Sequence, residues 1–150
     1  MKRAMRELLT SDLSLVIEIE NRAFTHPWPP EAFVEIPGGR SWILELDGTV
    51  RGYILYHTAE DEAVIINFAI DPLYQGQGHG EYLLNSSIRI LHSQGFSHFY
   101  LDVRKSNENA IKLYNKLGFI PLGMRRNYYS DPCEDAIVMG LVKNSITTGE

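Results

Sequence analysis

The spacing of apolar positions changes along the chain, and each change marks an element. Arg3–Leu9 reads as a short first strand. Leu13, Val16, Ile19 and Ala23 then recur at three- and four-residue intervals, the pattern of one helix face, with Ser11 or Asp12 as its cap. His26-Pro27-Trp28-Pro29-Pro30 stops that helix and starts a shorter one, Pro30 suiting a first helical position. Gly38-Gly39 is a flexible join. Trp42–Leu46 and Val50–Thr58, either side of Asp47-Gly48, predict a hairpin. Glu60-Asp61 turns the chain into a third strand, Ala63–Ile70, whose near-continuous apolarity predicts burial on both faces. A helix follows from Glu81 to Gln94, closed by Gly95, and then a strand, Phe99–Val103. Asn107–Leu117 reads as a helix between a cap asparagine and the terminating Gly118. Two closing strands, around Met124–Tyr129 and Ala136–Val142, flank a Ser130-Asp131-Pro132 turn.

The order β-α-α-β-β-β-α-β-α-β-β predicts an α/β (α+β mixed) fold with a central mixed, mostly antiparallel sheet and helices on both faces. Hairpins mixed with crossovers argue against a doubly wound parallel sheet. Residues 1–143 are expected to form a single domain and 144–150 a polar tail.

Composition narrows the class. A 150-residue chain that is 44% apolar has enough material for one proper core. Cys133 is the single cysteine, which excludes a disulfide framework and suggests a reducing compartment, the cytoplasm. The five histidines are scattered without ligand spacing, so no metal is expected. The basic start (Lys2, Arg3, Arg6) is interrupted by Glu7 and Asp12, unlike a signal peptide, and no apolar run approaches the ~20 residues of a membrane span. A net charge of −5 without a basic stripe makes nucleic acid a poor partner. Asp61, Glu62, Asp131, Glu134 and Asp135 would suit a cationic substrate, and serve equally well as ordinary solvated acids.

The most specific signal is Gln75-Gly76-Gln77-Gly78-His79-Gly80, between the strand that breaks at Asp71-Pro72 and the helix that follows. Alternate glycines at a helix start leave converging backbone N–H groups, a nest for phosphate or pyrophosphate reinforced by the helix dipole. A P-loop would need Gly-Lys-Ser/Thr at its end, and none follows. A dinucleotide fingerprint starting at Gly76 would need a small residue where Glu81 stands. What remains is Gln-x-x-Gly-x-Gly.

Further segments accompany that loop: His26-Pro27-Trp28, Asn67-Phe68-Ala69-Ile70-Asp71-Pro72, Val103-Arg104-Lys105-Ser106-Asn107, Tyr114 with Leu117-Gly118-Phe119, Arg125-Arg126-Asn127-Tyr128-Tyr129, and Glu134-Asp135-Ala136. From roughly Leu8 to Val142 the chain thereby resembles the GNAT superfamily of N-acetyltransferases. Within it the chain is similar to the bacterial RimI type, which acetylates the N-terminal alanine of a ribosomal protein. The glycine loop and Leu-Gly-Phe are superfamily-wide signals; Arg-Arg-Asn-Tyr-Tyr followed by Glu-Asp-Ala is narrower and points to protein N-termini.

The resemblance implies acetyl-CoA as donor. Its pyrophosphate would lie on the backbone of Gly76, Gln77, Gly78, His79, Gly80 and Glu81, and its pantetheine arm along the main chain of Phe68, Ala69 and Ile70. There, Asp71-Pro72 would help a bulge to splay the strand. Asn107 is a further cofactor position, compatible with its being a cap. Tyr114 is implied as the acid that protonates the departing thiolate, although its spacing from Ile111 also fits a core tyrosine. Asp102 falls where the RimI type usually carries glutamate. Aspartate reaches one methylene less, so Asp102 would act as base through a water, or Glu62 or Glu134 would substitute. A simpler role for Asp102 is a polar strand residue paired with Arg104.

Tyr128, Tyr129, Glu134 and the His26–Pro30 loop with Trp28 would wall the acceptor groove. Adjacent strand residues face opposite sides, so one of the two tyrosines is expected to pack across strands instead. Trp28 suits a loop anchor as well as a substrate contact. Cys133 stands near where relatives often carry histidine, and nothing activates its thiol. The implied partner is a protein N-terminus, that of a ribosomal protein, met by a monomer or weak homo-oligomer. Two alternatives stay open: a GNAT acting on lysine side chains or small amines, and a CoA-binding module with impaired turnover.

Overall fold

In the computed structural model, residues 1–33 and 39–144 are described. Seven strands form one sheet in the order β1-β2-β3-β4-β5-β7-β6. They are β1 (Arg3–Glu7), β2 (Gly39–Leu46), β3 (Thr49–Ala59), β4 (Glu62–Ile70), β5 (His98–Arg104), β6 (Ile120–Tyr129) and β7 (Glu134–Val142). The helices are α1 (Leu13–Ala23), α2 (His79–Ser93) and α3 (Glu108–Lys116). Every pairing is antiparallel except β4 with β5. The expected architecture holds. The short helix expected at Pro30 is a single 3-10 turn, Pro30–Phe33. Of the Gly38-Gly39 join, Gly38 lies outside the described residues, as does the tail beyond Asn144.

The sheet separates two apolar clusters because β3 alternates. Tyr53 and Leu55 point to α1, where Val16 and Ile19 are fully buried with Ile43. Ile54 and Tyr56 point the other way, onto Leu84, Ile88 and Leu91 of α2 and the α3 residue Tyr114. Each such side chain contributes about 1.5–3 kcal/mol on burial. Gly52 sets the spacing between β3 and the end of β4. A Cβ there would lie 2.7 Å from Ile70 Cδ1 and 3.1 Å from the Ala69 carbonyl oxygen.

What positions the site is the place where the sheet parts. β4 and β5 pair only at Glu62↔His98, Ala63↔Phe99 and Val64↔Tyr100. Beyond that, β4 runs on to Ile70 along β3, and β5 to Arg104 along β7. Leu55 pairs Asn67 while its neighbour Tyr56 pairs Ile65, so Ile66 is the extra residue of a bulge. The bulge therefore sits inside β4 and not at Asp71-Pro72. Val64, Ile66 and Phe68 are half-buried, correcting the expectation of full burial on both faces.

The start of β6 and the cap of α1 differ from the sequence reading. β6 begins at Ile120, not near Met124. As the free edge of the sheet it is exposed along almost its whole length, and no buried alternation marked its start. Neither Ser11 nor Asp12 caps α1 through its side chain, because a 3-10 turn, Thr10–Asp12, intervenes. The Asp12 carboxylate instead accepts from Leu9 N (2.7 Å) and from both Arg6 guanidinium nitrogens (2.8 Å each). The bonds to Arg6, above all, hold its pKa below the ordinary value. A lowered native pKa contributes stability above the unfolded-state value and loses it as pH falls through the native one. Asp12→Asn is therefore expected to lower Tm at neutral pH, with the gap to wild type closing progressively below about pH 4. Thermal melts across pH check this; a gap independent of pH would contradict it.

Candidate active site

At the end of β4 a buried charge fixes the chain direction. Asp71 is wholly buried, with Arg22 at 2.7 Å and Arg51 at 3.4 Å, and it accepts from Leu73 N at 3.1 Å. Gln75 then donates from Nε2 to the Ile70 carbonyl (2.9 Å), bringing the loop back over the strand end. Gly76 and Gly78 have φ of +76° and +84°, the left-handed region that favours glycine. Gly78 is the N-cap of α2, which starts at His79, two residues before the expected Glu81. The first-turn N–H groups of a helix have no intrahelical acceptor. Here they gather with the loop amides at the positive end of α2, where an anion is stabilised.

Two side chains of the nest turn away from it. The His79 ring is buried beside Arg3, with Nδ1 3.4 Å from a guanidinium nitrogen, and burial above all lowers its pKa. Glu81 accepts from Lys116 Nζ of α3 at 2.8 Å. The backbone of both residues lies in the first turn of α2.

Where β4 and β5 part, a cleft of about 570 Å³ opens. Phe68, Asn107, Asp102 and Tyr114 line it, and Trp28, Tyr129 and Glu134 line it too. Ala69, Ile70, the glycine loop and Tyr128 lie outside the lining. So does Glu62, at the opposite end of β4, which removes it as a stand-in base. Asn107 caps α3 through its side-chain oxygen, which accepts from Ala110 N at 3.2 Å, and its amide NH₂ remains available as a donor.

Tyr114 is buried with its ring 5.7 Å from that of Phe119, and burial raises its pKa, so the phenol is protonated. Asp102 accepts a hydrogen bond from Arg125 Nε at 3.1 Å, diagonally across β7, and not from Arg104 as the simpler reading expected. Arg104 is claimed by Glu134 (3.2 Å) and by the carbonyls of Ser130 and Pro132, and lies over the Tyr129 ring at 4.3 Å. Glu134 also accepts from Ser106 N at 2.7 Å; hydrogen bonding by the Ser106 side chain above all, then by its backbone N–H and by Arg104, holds its pKa low. Glu134 is thus committed to fastening the hairpin and is poorly placed to replace Asp102.

The two tyrosines do not face opposite sides. Their rings meet edge-to-face at 5.1 Å, because the β6–β7 register shifts between Arg125 and Tyr129 and Asn127 has φ +53°. Tyr129 enters the cleft, and burial above all raises its pKa to about 12. Tyr128 stays exposed. His26 Nε2 bonds the Asp131 carbonyl at 2.8 Å, so the loop after α1 and the β6–β7 hairpin meet across the mouth.

Sequence reasoning missed Glu20 and gave Asn67 no role. Glu20 is buried on α1; its Oε1 accepts from the Tyr53 hydroxyl and from Asn67 Nδ2 (2.7 Å), and its Oε2 from Trp28 N (3.0 Å). Trp28 is therefore both anchor and wall: its amide is tied to Glu20, its ring lies 5.3 Å from Phe33, and it lines the cleft. The signal was present in the helix spacing. Glu20 stands four residues after Val16, a carboxylate on the apolar stripe.

A sheet parted beside a helix-start anion nest, with a protonated phenol and a carboxylate in the gap, suits an enzyme that moves an acyl group from an extended, phosphate-bearing carrier. The sequence agrees in detail. The profile of the acetyltransferase (GNAT) family matches residues 4–119, and the chain belongs to that family. It is 41% identical over 138 residues to the [ribosomal protein bS18]-alanine N-acetyltransferase of Escherichia coli (strain K12), covering 89% of this chain and 93% of that one. Its fold is similar to a crystal structure of the ribosomal-protein-S18-alanine N-acetyltransferase from Escherichia coli, with a TM-score of 0.92, 36% identity and 99% of each chain covered. Ard1 from Thermoplasma volcanium follows with a TM-score of 0.85, 26% identity, and 96% of this chain and 100% of that one covered. Among the described residues no His/Cys/Asp/Glu group is placed to hold a metal ion, and no helix is long and apolar enough to cross a membrane.

Proposed function

We propose that this acetyltransferase moves the acetyl group of acetyl-CoA to the N-terminal α-amine of a protein in the bacterial cytoplasm. Its acceptor is the N-terminal alanine of the small-subunit ribosomal protein bS18, the substrate in the name of its Escherichia coli relative. The observation that carries the reading is the cleft where β4 and β5 part, which brings Asp102 and Tyr114 together. The residues fit the donor. The amides of Gly76 to Glu81 suit a pyrophosphate, and the main chain of Phe68 to Ile70 borders the parted strands. Asn107 lines the same cleft, and among the described residues its amide NH₂ makes no hydrogen bond. The donor supplies an activated thioester; the protein supplies position and proton control.

An α-amine is mostly protonated at neutral pH, its pKa being about 7.7–8.0, and only the neutral form attacks a carbonyl. Asp102 takes that proton through a water, which makes up for its short reach. Tyr114 holds its own proton firmly, because burial raises its pKa above that of an ordinary phenol. It therefore acts chiefly as a hydrogen-bond donor to the sulfur as charge develops there. The proton the thiolate finally keeps is one the amine gave up.

Asp102→Ala is expected to lower kcat/KM by about a hundredfold and Asp102→Glu to match or exceed wild type, followed as free-thiol release on an alanine-initiated peptide. An Ala variant as active as wild type would remove Asp102 as the base. The substrate is tested by offering peptides that begin with alanine, serine, methionine or leucine, beside one with a blocked N-terminus and a free lysine. Preference for the alanine peptide supports the reading. Transfer to lysine moves the enzyme to side-chain amines, and acetyl-CoA binding without transfer to any peptide marks a binding module.

A further inference from the structure

Among the described residues, Arg125 is the hydrogen-bonding partner of the Asp102 carboxylate, and it differs sharply from Arg104 in how it is held. Arg104 is fixed by Glu134, two carbonyls and the Tyr129 ring. Arg125 is more than half exposed on the edge strand, with Asp102 and the ring of Tyr128 at 5.7 Å as its contacts. Nothing about the fold of the β6–β7 hairpin needs its charge.

The other ionisable groups around the cleft have hydrogen-bonding or ion-pair partners of their own, or are kept neutral by burial. From β5 and β7, Arg104 and Glu134 pair at 3.2 Å. At the mouth His26 faces Asp131 at 3.7 Å. On α1, Glu20 accepts from three donors; Tyr114 on α3 and Tyr53 on β3 are held protonated by burial, as is Tyr129 on β6. Arg125 is thus the cation in direct contact with Asp102.

We propose that Arg125 is a positioning residue that keeps the acceptor amine neutral: its guanidinium, held on Asp102, disfavours a second cation beside that carboxylate. The proposal rests on the reading of Asp102 as the carboxylate that meets the acceptor. A bare carboxylate would bind an incoming α-ammonium and raise its pKa, giving a tight complex of the unreactive form. A cation already in place lowers the amine's pKa instead, and proton loss to solvent becomes easier. The pair is partly exposed and therefore weak, so it tunes the site without closing it.

The test compares wild type, Arg125→Gln, Arg125→Lys and Asp102→Asn on an alanine-initiated peptide. The pH dependence of kcat is measured, along with the peptide's affinity in the presence of CoA at about pH 6, where the α-amine is charged. An Nα-acetylated peptide is the uncharged control. For Arg125→Gln the amine-dependent limb of kcat is expected to move up by roughly half a pH unit, with the free-amine peptide binding up to about fivefold tighter and the acetylated one unchanged. Arg125→Lys is expected to restore both readouts. A limb that stays or moves down, or equal changes for both peptides, overturns the proposal. If Asp102→Asn leaves binding of the charged peptide as in wild type, the reading of Asp102 falls. If Asp102→Asn weakens that binding and Arg125→Gln changes nothing, only the role of Arg125 falls.

Discussion

Tyr114→Phe is expected to lower kcat by about a hundredfold or more, with acetyl-CoA affinity changed by less than about twofold. The ring is buried against Phe119, and phenylalanine preserves that packing, so the variant loses the hydroxyl and little else. On the proposed reading the donor is held elsewhere, by the loop amides from Gly76 and by the border of β4. In the proposed role the hydroxyl acts only as charge develops on sulfur, so its loss is expected in kcat and not in donor binding. Burst and steady-state assays of thiol release, with calorimetry for acetyl-CoA, separate the two. Turnover near wild type would remove Tyr114 from the chemistry; a matching loss of donor affinity would make it a packing residue.

The second large effect is on stability. Glu20→Leu leaves Tyr53, Asn67 and the Trp28 amide without their shared acceptor, at a cost of about 3 kcal/mol or more. For a domain of this size that is a fall in Tm of roughly 6–12 °C. The same substitution releases Trp28 from the cleft wall and Asn67 from the bulged stretch of β4, so KM for the acceptor peptide is expected to rise several-fold. Thermal denaturation and initial-rate kinetics read these effects; a Tm within about 2 °C of wild type would show that Glu20 is not the hub the geometry describes.

Much of this arrangement was legible in the chain. Period-two and helical stretches located the strands and helices, and the glycine loop located the anion nest, because these signals are local. Asp102 and Tyr114 were marked by resemblance and meet in one cleft. The misses share a cause. The Arg125–Asp102 pair spans β7 and depends on the order β5-β7-β6, which places consecutive strands apart. The contact between Tyr128 and Tyr129 depends on a register shift and one left-handed asparagine, invisible to alternation. Glu20 takes its meaning from Tyr53 and Asn67, distant in sequence, and Asp12 from Arg6 across a turn. Edge strand β6 was read short because an exposed strand carries no buried stripe.

The central claim is acetyl transfer to one protein N-terminus by way of Asp102 and Tyr114. It is tested most directly by incubating intact bS18 with acetyl-CoA and either the wild-type protein or Tyr114→Phe, then locating the modification by fragmentation mass spectrometry. The account predicts a single acetyl group on the α-amine of the N-terminal alanine with wild type, and almost none in the same time with Tyr114→Phe. Acetyl groups on lysines, or equal modification by the two proteins, would contradict it.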